Sequence, residues 1–285
     1  MTRSRQIAIT AIGVLAAIAV FVAIARSRPS SEPRPAGNVA SHTEVAPGEV
    51  VDPASEFDSS AIAALDRMGS YLRTLKTFQL KANVITEDVR TDGQKVQIER
   101  NVDLVAKRPD RLFVEIESDR QQRLFFYDGS NFTLFAPRTN FYATVAAPSS
   151  IEKLADALED KFAIELPLVD LFRWGTPEAD ERAITSAVDL GPSAINGVTC
   201  EQYGFRQEGI DWQLWIQRGD APLPCRIVIT TLTDEARPQN TTTYSWNLAP
   251  SFSDATFAFQ APSDAKRIPF AEVQVAASSS SPDRK

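Results

Sequence analysis

Apolar residues recur at three- and four-residue spacing in two stretches of this chain, and at every second residue in most others. Ile62, Leu65, Met68, Leu72 and Leu75 follow the first rule. That spacing predicts a helix over 58–75, capped by Asp58 or Ser59. At Phe78 the second rule takes over. Phe78, Leu80, Ala82 and Val84 alternate with Gln79, Lys81 and Asn83, so 78–89 reads as a strand. Thr91-Asp92-Gly93 is its turn, 95–106 its hairpin partner, and 107–110 the turn that follows.

The alternation is densest in RLFVEIESDRQQRLFFYDGSNFTLFAPRTNFYATV, residues 111–145. Turn signals at 119–120, 128–130 and 137–140 divide it into four short strands, a β-meander. Two-residue turns at 119–120 and 129–130 would set Leu112 opposite Tyr127 and Val114 opposite Phe125. They would also set Phe125 opposite Leu134 and Tyr127 opposite Phe132. One face then carries Leu112, Val114, Ile116, Phe125, Tyr127, Phe132 and Leu134. The other carries Phe113, Leu124, Phe126, Thr133 and Phe135, with Glu115 and Glu117. Both faces are largely apolar, so each needs a cover or lines a cavity.

Helical spacing returns at 151–162, where Ile151, Leu154, Ala155, Leu158 and Phe162 form one face. Ser149 and Glu152 have the spacing of a capping box. Pro167 opens a second short helix, which Gly175 closes. These helices are candidate lids over one face of the meander. A second meander follows, with strands near 184–189, 199–206, 212–217, 226–232 and 241–248. A segment from Phe252 to Phe259 leads to Pro262, and 272–285 reads as a polar, disordered tail.

Before the first helix the pattern is different. Ile7 to Ala25 is unbroken apolar sequence between basic flanks. At ~1.5 Å per residue it spans roughly 28 Å, close to the thickness of a bilayer's hydrocarbon. An uncleaved anchor is the favoured reading. A cleaved signal with Ala23-Ile24-Ala25 as its site is the alternative. The stretch 29–57 is rich in Pro, Ser and Ala and reads as a disordered linker. It holds the single histidine, His42, as a solvated residue.

Composition narrows the chemistry. Residues 1–57 carry five basic and five acidic side chains, so the rest of the chain carries the whole net charge of −7. An acidic domain without a Lys/Arg cluster argues against nucleic acid. Without histidine, the folded part has no Ser-His-Asp or Cys-His arrangement and few ways to bind zinc, so no cofactor and no metal site is expected. Carboxylates such as Glu115, Glu117, Asp119 and Asp211 are the remaining enzymatic option, and solvated strand positions are the plainer reading. Cys200 and Cys225 fall two strands apart, about 9.6 Å in a flat sheet, beyond the ~7 Å of a disulfide. Two buried thiols are therefore the favoured reading, and strong curvature or a different register would allow the bond instead. Trp174, Trp212 and Trp246 read as core; Trp215, between Gln213 and Gln217, reads as the exposed one.

FYDGSNFTLFAPRTNFYA, and WQLWIQ followed by PLPCRIVITT, resemble a family of uncharacterised, predicted periplasmic bacterial proteins. That family is similar to the LolA/LolB-like lipoprotein-sorting superfamily, and the likeness covers about 61–272. It implies an α+β fold: a strongly curved antiparallel sheet, an incomplete β-barrel, with helices over the concave face. The expected domain is 58–271. The expected function is non-enzymatic periplasmic binding, with an apolar groove for an acyl chain, a lipid or a lipidated partner. Leu112, Val114, Phe125, Tyr127, Phe132 and Leu134 are the candidate groove residues. The anchor and linker instead favour a membrane-tethered sensor or interaction module. The partners to expect are a lipid or acylated protein, other envelope proteins, and the inner membrane through 7–25.

Overall fold

The computed structural model describes residues 57–179 and 181–272. The apolar run 7–25, the linker, His42 and the tail from 273 lie outside the described residues.

Helix α1, Ser59–Thr74, begins where Asp58 accepts a hydrogen bond from the Ser60 N–H. It buries Ala61, Ala64, Leu65, Met68 and Leu72 on one side. Strands β1 (Thr77–Val89) and β2 (Lys95–Lys107) form a long hairpin. The meander follows as β3 (Arg111–Glu117), β4 (Gln122–Tyr127), β5 (Asn131–Ala136) and β6 (Phe141–Ala146). Helices α2 (Ile151–Phe162) and α3 (Asp170–Arg173) separate it from β7 (Ser186–Ile195), β8 (Val198–Gln207), β9 (Ile210–Gln217), β10 (Pro224–Thr231) and β11 (Gln239–Asn247). The two-residue β12, Lys266–Arg267, comes last.

All twelve strands join one sheet, in the order β12-β6-β5-β4-β3-β2-β1-β11-β10-β9-β8-β7. Pairing of β1 with β11 fuses the two meanders. Every pairing is antiparallel except that of β12 with β6. The order is linear, so the sheet is open, with β12 and β7 at its edges. Twelve strands laid flat would span roughly 50 Å. Yet one buried cluster unites inner residues of β1–β5 with those of β7–β10, and with α1, α2 and α3. The sheet must therefore curl, with the helices in its concavity.

The meander register follows the two-residue turns. Leu112 pairs with Tyr127, Val114 with Phe125, Phe125 with Leu134 and Tyr127 with Phe132. The outer face of the meander has its own cover. After β11 the chain crosses the outer face, where Asp254–Phe257 forms a 3-10 turn. Lys107 pins Asp254 there at 2.9 Å. Phe259 then packs on Phe126, Phe135 and Tyr142, with ring centroids 5.3, 5.4 and 4.9 Å away. β12 adds to the β6 edge, and Phe270 reaches round to Phe132 and Phe162 on the inner side. Residues 252–270 are thus a strap that wraps the sheet edge.

Four local expectations need correction. The cap of α2 is Ser150, which accepts from the Lys153 N–H; Glu152 pairs with Arg108 at 2.6 Å. No helix starts at Pro167. Leu168 is left-handed, φ 57°, which delays the helix to Asp170. Strand β7 continues past Leu190 to Ile195, because a bulge at Asp189/Gly191 absorbs the glycine and an edge strand tolerates Pro192. Cys200 and Cys225 form a disulfide, with Cα atoms 7.1 Å apart. A register shift between Pro224 and Arg226 explains it. The bulge turns Cys225 to the outer face, where both cysteines cluster with Ile195 and Trp215.

A candidate cavity under the lid

The six residues expected to line a groove all lie on the inner face and pack into the core. Leu112, Val114, Phe125, Tyr127 and Phe132 are at most 4% exposed. Leu134 is half-buried and packs against the same core. The Tyr127 hydroxyl donates to the Pro148 carbonyl, and burial pushes its pKa up to about 12. Each large side chain buried there contributes about 1.5–3 kcal/mol. None of the six lines either cavity described below.

A cavity lies further along the same face. At about 60 Å3, it separates the sheet from the segment Glu165–Leu171. Val84, Val102, Ile116, Ile227 and Ile229 form its sheet wall, and Leu166, Leu168 and Leu171 form its roof. Its polar groups are Arg100, Asn240, Thr242 and Tyr244 on the sheet and Glu165 and Asp170 in the roof. The sheet groups are linked. Thr86 Oγ1 accepts from Arg100 Nη1 at 3.2 Å and from Asn240 Nδ2 at 3.1 Å. Thr242 Oγ1 donates to Asn240 Oδ1 at 3.4 Å.

The roof carboxylates sit in an unfavourable place for charge. Burial, then the charges of Asp170 and Glu159, push Glu165 up to about 7, and Arg173 offsets this in part. Burial raises Asp170 as well. Tyr244 is raised by burial and by Asp170 beside it. Neither carboxylate stands out in the sequence. A lone Glu after a helix and an Asp inside an apolar run carry no pattern.

The roof is fastened at its ends. Arg108 bonds Glu152 of α2 and lies 4.8 Å over the Phe172 ring of α3. Arg173 of α3 reaches Asp156 and Glu159 of α2 at 3.1 and 3.4 Å. Gly69 of α1 meets Gly175 backbone to backbone; a Cβ on Gly69 would lie 2.6 Å from the Gly175 nitrogen. Between these ties the loop 163–169 carries two left-handed residues without glycine's freedom, Ala163 (φ 50°) and Leu168 (φ 57°). A second, more open cavity of about 440 Å3 runs between β6 and α2, from Val145 to Phe162.

The other sequence candidates are placed differently. Glu115 accepts from Gln122, and Asp211 pairs with Arg206 at 2.6 and 2.8 Å on an exposed hairpin. Trp215 is not the exposed tryptophan. It is 8% exposed in the disulfide cluster, donating to Ser193 Oγ at 3.2 Å with the Arg226 guanidinium 5.9 Å over its ring. Trp246, half-buried, is the less covered one. Among the described residues no helix is long and apolar enough to cross a membrane, and no group of three or more His, Cys, Asp or Glu is placed to hold a metal ion.

No curated protein matches the chain. Among solved structures it is similar to LprF from Mycobacterium bovis, with 14% identity and a TM-score of 0.42, over 69% of this chain and 97% of that one. An uncharacterized conserved protein from Thermus thermophilus matches at 13% and 0.40, over 74% and 99%. The LolA superfamily protein NE2245 from Nitrosomonas europaea matches at 13% and 0.34, over 70% and 97%. No function follows from likeness at this level. The family described as Predicted periplasmic protein (DUF2092) matches residues 61–271, most of the chain, and this protein belongs to that family.

Proposed function

We propose that this protein is a periplasmic binding protein for an acyl chain, a lipid or a lipidated partner, with no catalytic step. The observation that carries this reading is the cavity between the apolar inner face and the Glu165–Leu171 roof. Small-molecule sites are concave, mostly apolar and fitted with a few polar groups, and this cavity has that composition. At about 60 Å3 it is small. Ligand pockets run to roughly 300 Å3 or more, so a guest enters only when the roof lifts. A roof made of a loop and one helical turn, tied only at its ends and carrying the left-handed residues Ala163 and Leu168, supports that motion. The six meander residues are then the packed base beside this cavity, and Val84, Val102, Ile116, Ile227 and Ile229 are the floor under the roof. The apolar run 7–25 holds the domain at the inner membrane, where the guest is taken up.

The test is lipid content. Full-length protein is extracted into amphipol, and bound lipid is quantified by mass spectrometry beside an Ile227→Trp variant. Ile227 is buried in the cavity wall, and the larger ring fills the space. The expected result is a retained amphiphile in stoichiometric amount that the folded variant loses. Equal lipid in both proteins, or none in the wild type, overturns the reading.

A further inference from the structure

One wall residue of the cavity is out of keeping with the rest. Arg100 is only 8% exposed, yet its Nε is buried without a hydrogen-bond partner. Its Nη1 is held by Thr86, which Asn240 also holds, so the guanidinium is fixed in place. Burial lowers its pKa, and the charge of Arg123 lowers it further. A buried cation without an anion is destabilising. Satisfying it with apolar contacts alone is ruled out by the chemistry of guanidinium, which has donors and no acceptor.

We infer that Arg100 is the headgroup site for a single-chain amphiphile ending in a carboxylate, whose chain lies along Val84, Val102, Ile116, Ile227 and Ile229. This rests on the lipid-binding reading above and specifies its guest. With Nη1 taken, the Nε side of the guanidinium is the edge that receives a carboxylate side-on. One negative charge matches the one cation that is almost fully buried in the wall. A dianionic phosphate would bring a second charge against apolar walls, with Glu165 and Asp170 overhead in the roof. A neutral ester or alcohol would leave the cation unpaired.

The experiment uses full-length protein in amphipol and two photoactivatable probes, a diazirine-bearing palmitic acid and its methyl ester. Cross-linked peptides are read by mass spectrometry. The acid is expected to label peptides containing Val84 or Ile227 at least ~10-fold more than the ester, as a charge-assisted hydrogen bond implies. Arg100→Met should bring the acid down to the ester's level, and Arg100→Lys should keep part of the preference. If Arg100→Met does not fold, the wild type still decides. At about pH 4 and below, where the probe's own carboxyl takes up its proton, the preference must collapse. Equal labelling by acid and ester at neutral pH overturns the headgroup assignment and leaves lipid binding standing. No labelling of the cavity by either probe removes both.

Discussion

The inner face of the sheet has two ends made of similar strands and finished in different ways. At the β3–β5 end the sheet offers Leu112, Phe125, Tyr127 and Phe132, and α2 answers with Ile151, Leu154 and Leu158 in the same core. Phe270 of the strap and Phe162 of α2 close the corner. The Tyr127 hydroxyl there has its acceptor. At the other end β1, β2, β10 and β11 offer shorter chains, Val84, Val102, Ile227 and Ile229, interleaved with Arg100, Asn240 and Thr242. What answers them is a loop, 163–169, and a single turn of helix. A helix presents a continuous apolar stripe and fills the space opposite it. A loop brings backbone polar groups and isolated side chains, so it leaves volume and unpaired charge. The packed end holds the fold, and its open cavity of about 440 Å3 lies at the rim between β6 and α2; the loosely roofed end keeps its space and its unpaired charge on the inner face.

The sharpest way to break this comparison is to make the same kind of cut at both ends. Phe132→Ala removes a side chain with no exposed surface and should cost about 3–5 kcal/mol in denaturant unfolding. Val84→Ala removes two methyl groups beside an existing cavity and should cost about 1–2 kcal/mol. The larger loss should come with lower Tm and unchanged lipid content, the smaller with altered lipid content. If Phe132→Ala proves the milder of the two, the packed end is not the foundation of the fold.

The packed end was also the legible one. Two-residue turns fix a register, and a fixed register fixes the faces, so Leu112, Val114, Phe125, Tyr127 and Phe132 could be assigned to one side. What hid the rest was irregularity. The bulge that carries Cys225 to the outer face leaves no mark in the spacing of residues, so strand counting put the cysteines too far apart. The strand expected near 184–189 runs on to Ile195 through a bulge at Asp189/Gly191 within an edge. The strap lacks periodicity because it contacts the sheet through single anchors, Asp254, Phe259 and Phe270. Arg100 and Glu165 sat on a strand and in a loop, the usual places for solvated charge. Only burial by elements distant in sequence makes them unusual.

A smaller effect is expected where the roof is fastened. Gly69→Ala puts a Cβ 2.6 Å from the Gly175 nitrogen, and backbone on both sides cannot give way cheaply. Overpacking of this kind costs about 1–3 kcal/mol. Its consequence should be local. Hydrogen exchange should quicken in 163–176, while 111–146 keeps its protection. Equal loosening at both ends would show that the roof is not a separable unit.

The smallest effect is the pH dependence of the roof, and its sign is fixed. Glu165 has its pKa raised in the folded protein to about 7 from 4.5. The closed roof therefore binds a proton that the open or unfolded chain releases. The stability this contributes is complete below about pH 4.5 and is lost as the pH rises through about 7. Asp170, Glu159 and Arg173 surround it, so the charge that appears meets two carboxylates and one cation. Hydrogen exchange of 163–170 should therefore quicken between those two pH values, with no matching change in the packed end. Glu165→Gln keeps the shape, removes the charge and should flatten that dependence, leaving slow exchange at pH 8. An unchanged profile in Glu165→Gln would move the pH sensitivity to Asp170. A flat profile in the wild type would show that the carboxylate is already solvated, and that the roof stands open at neutral pH.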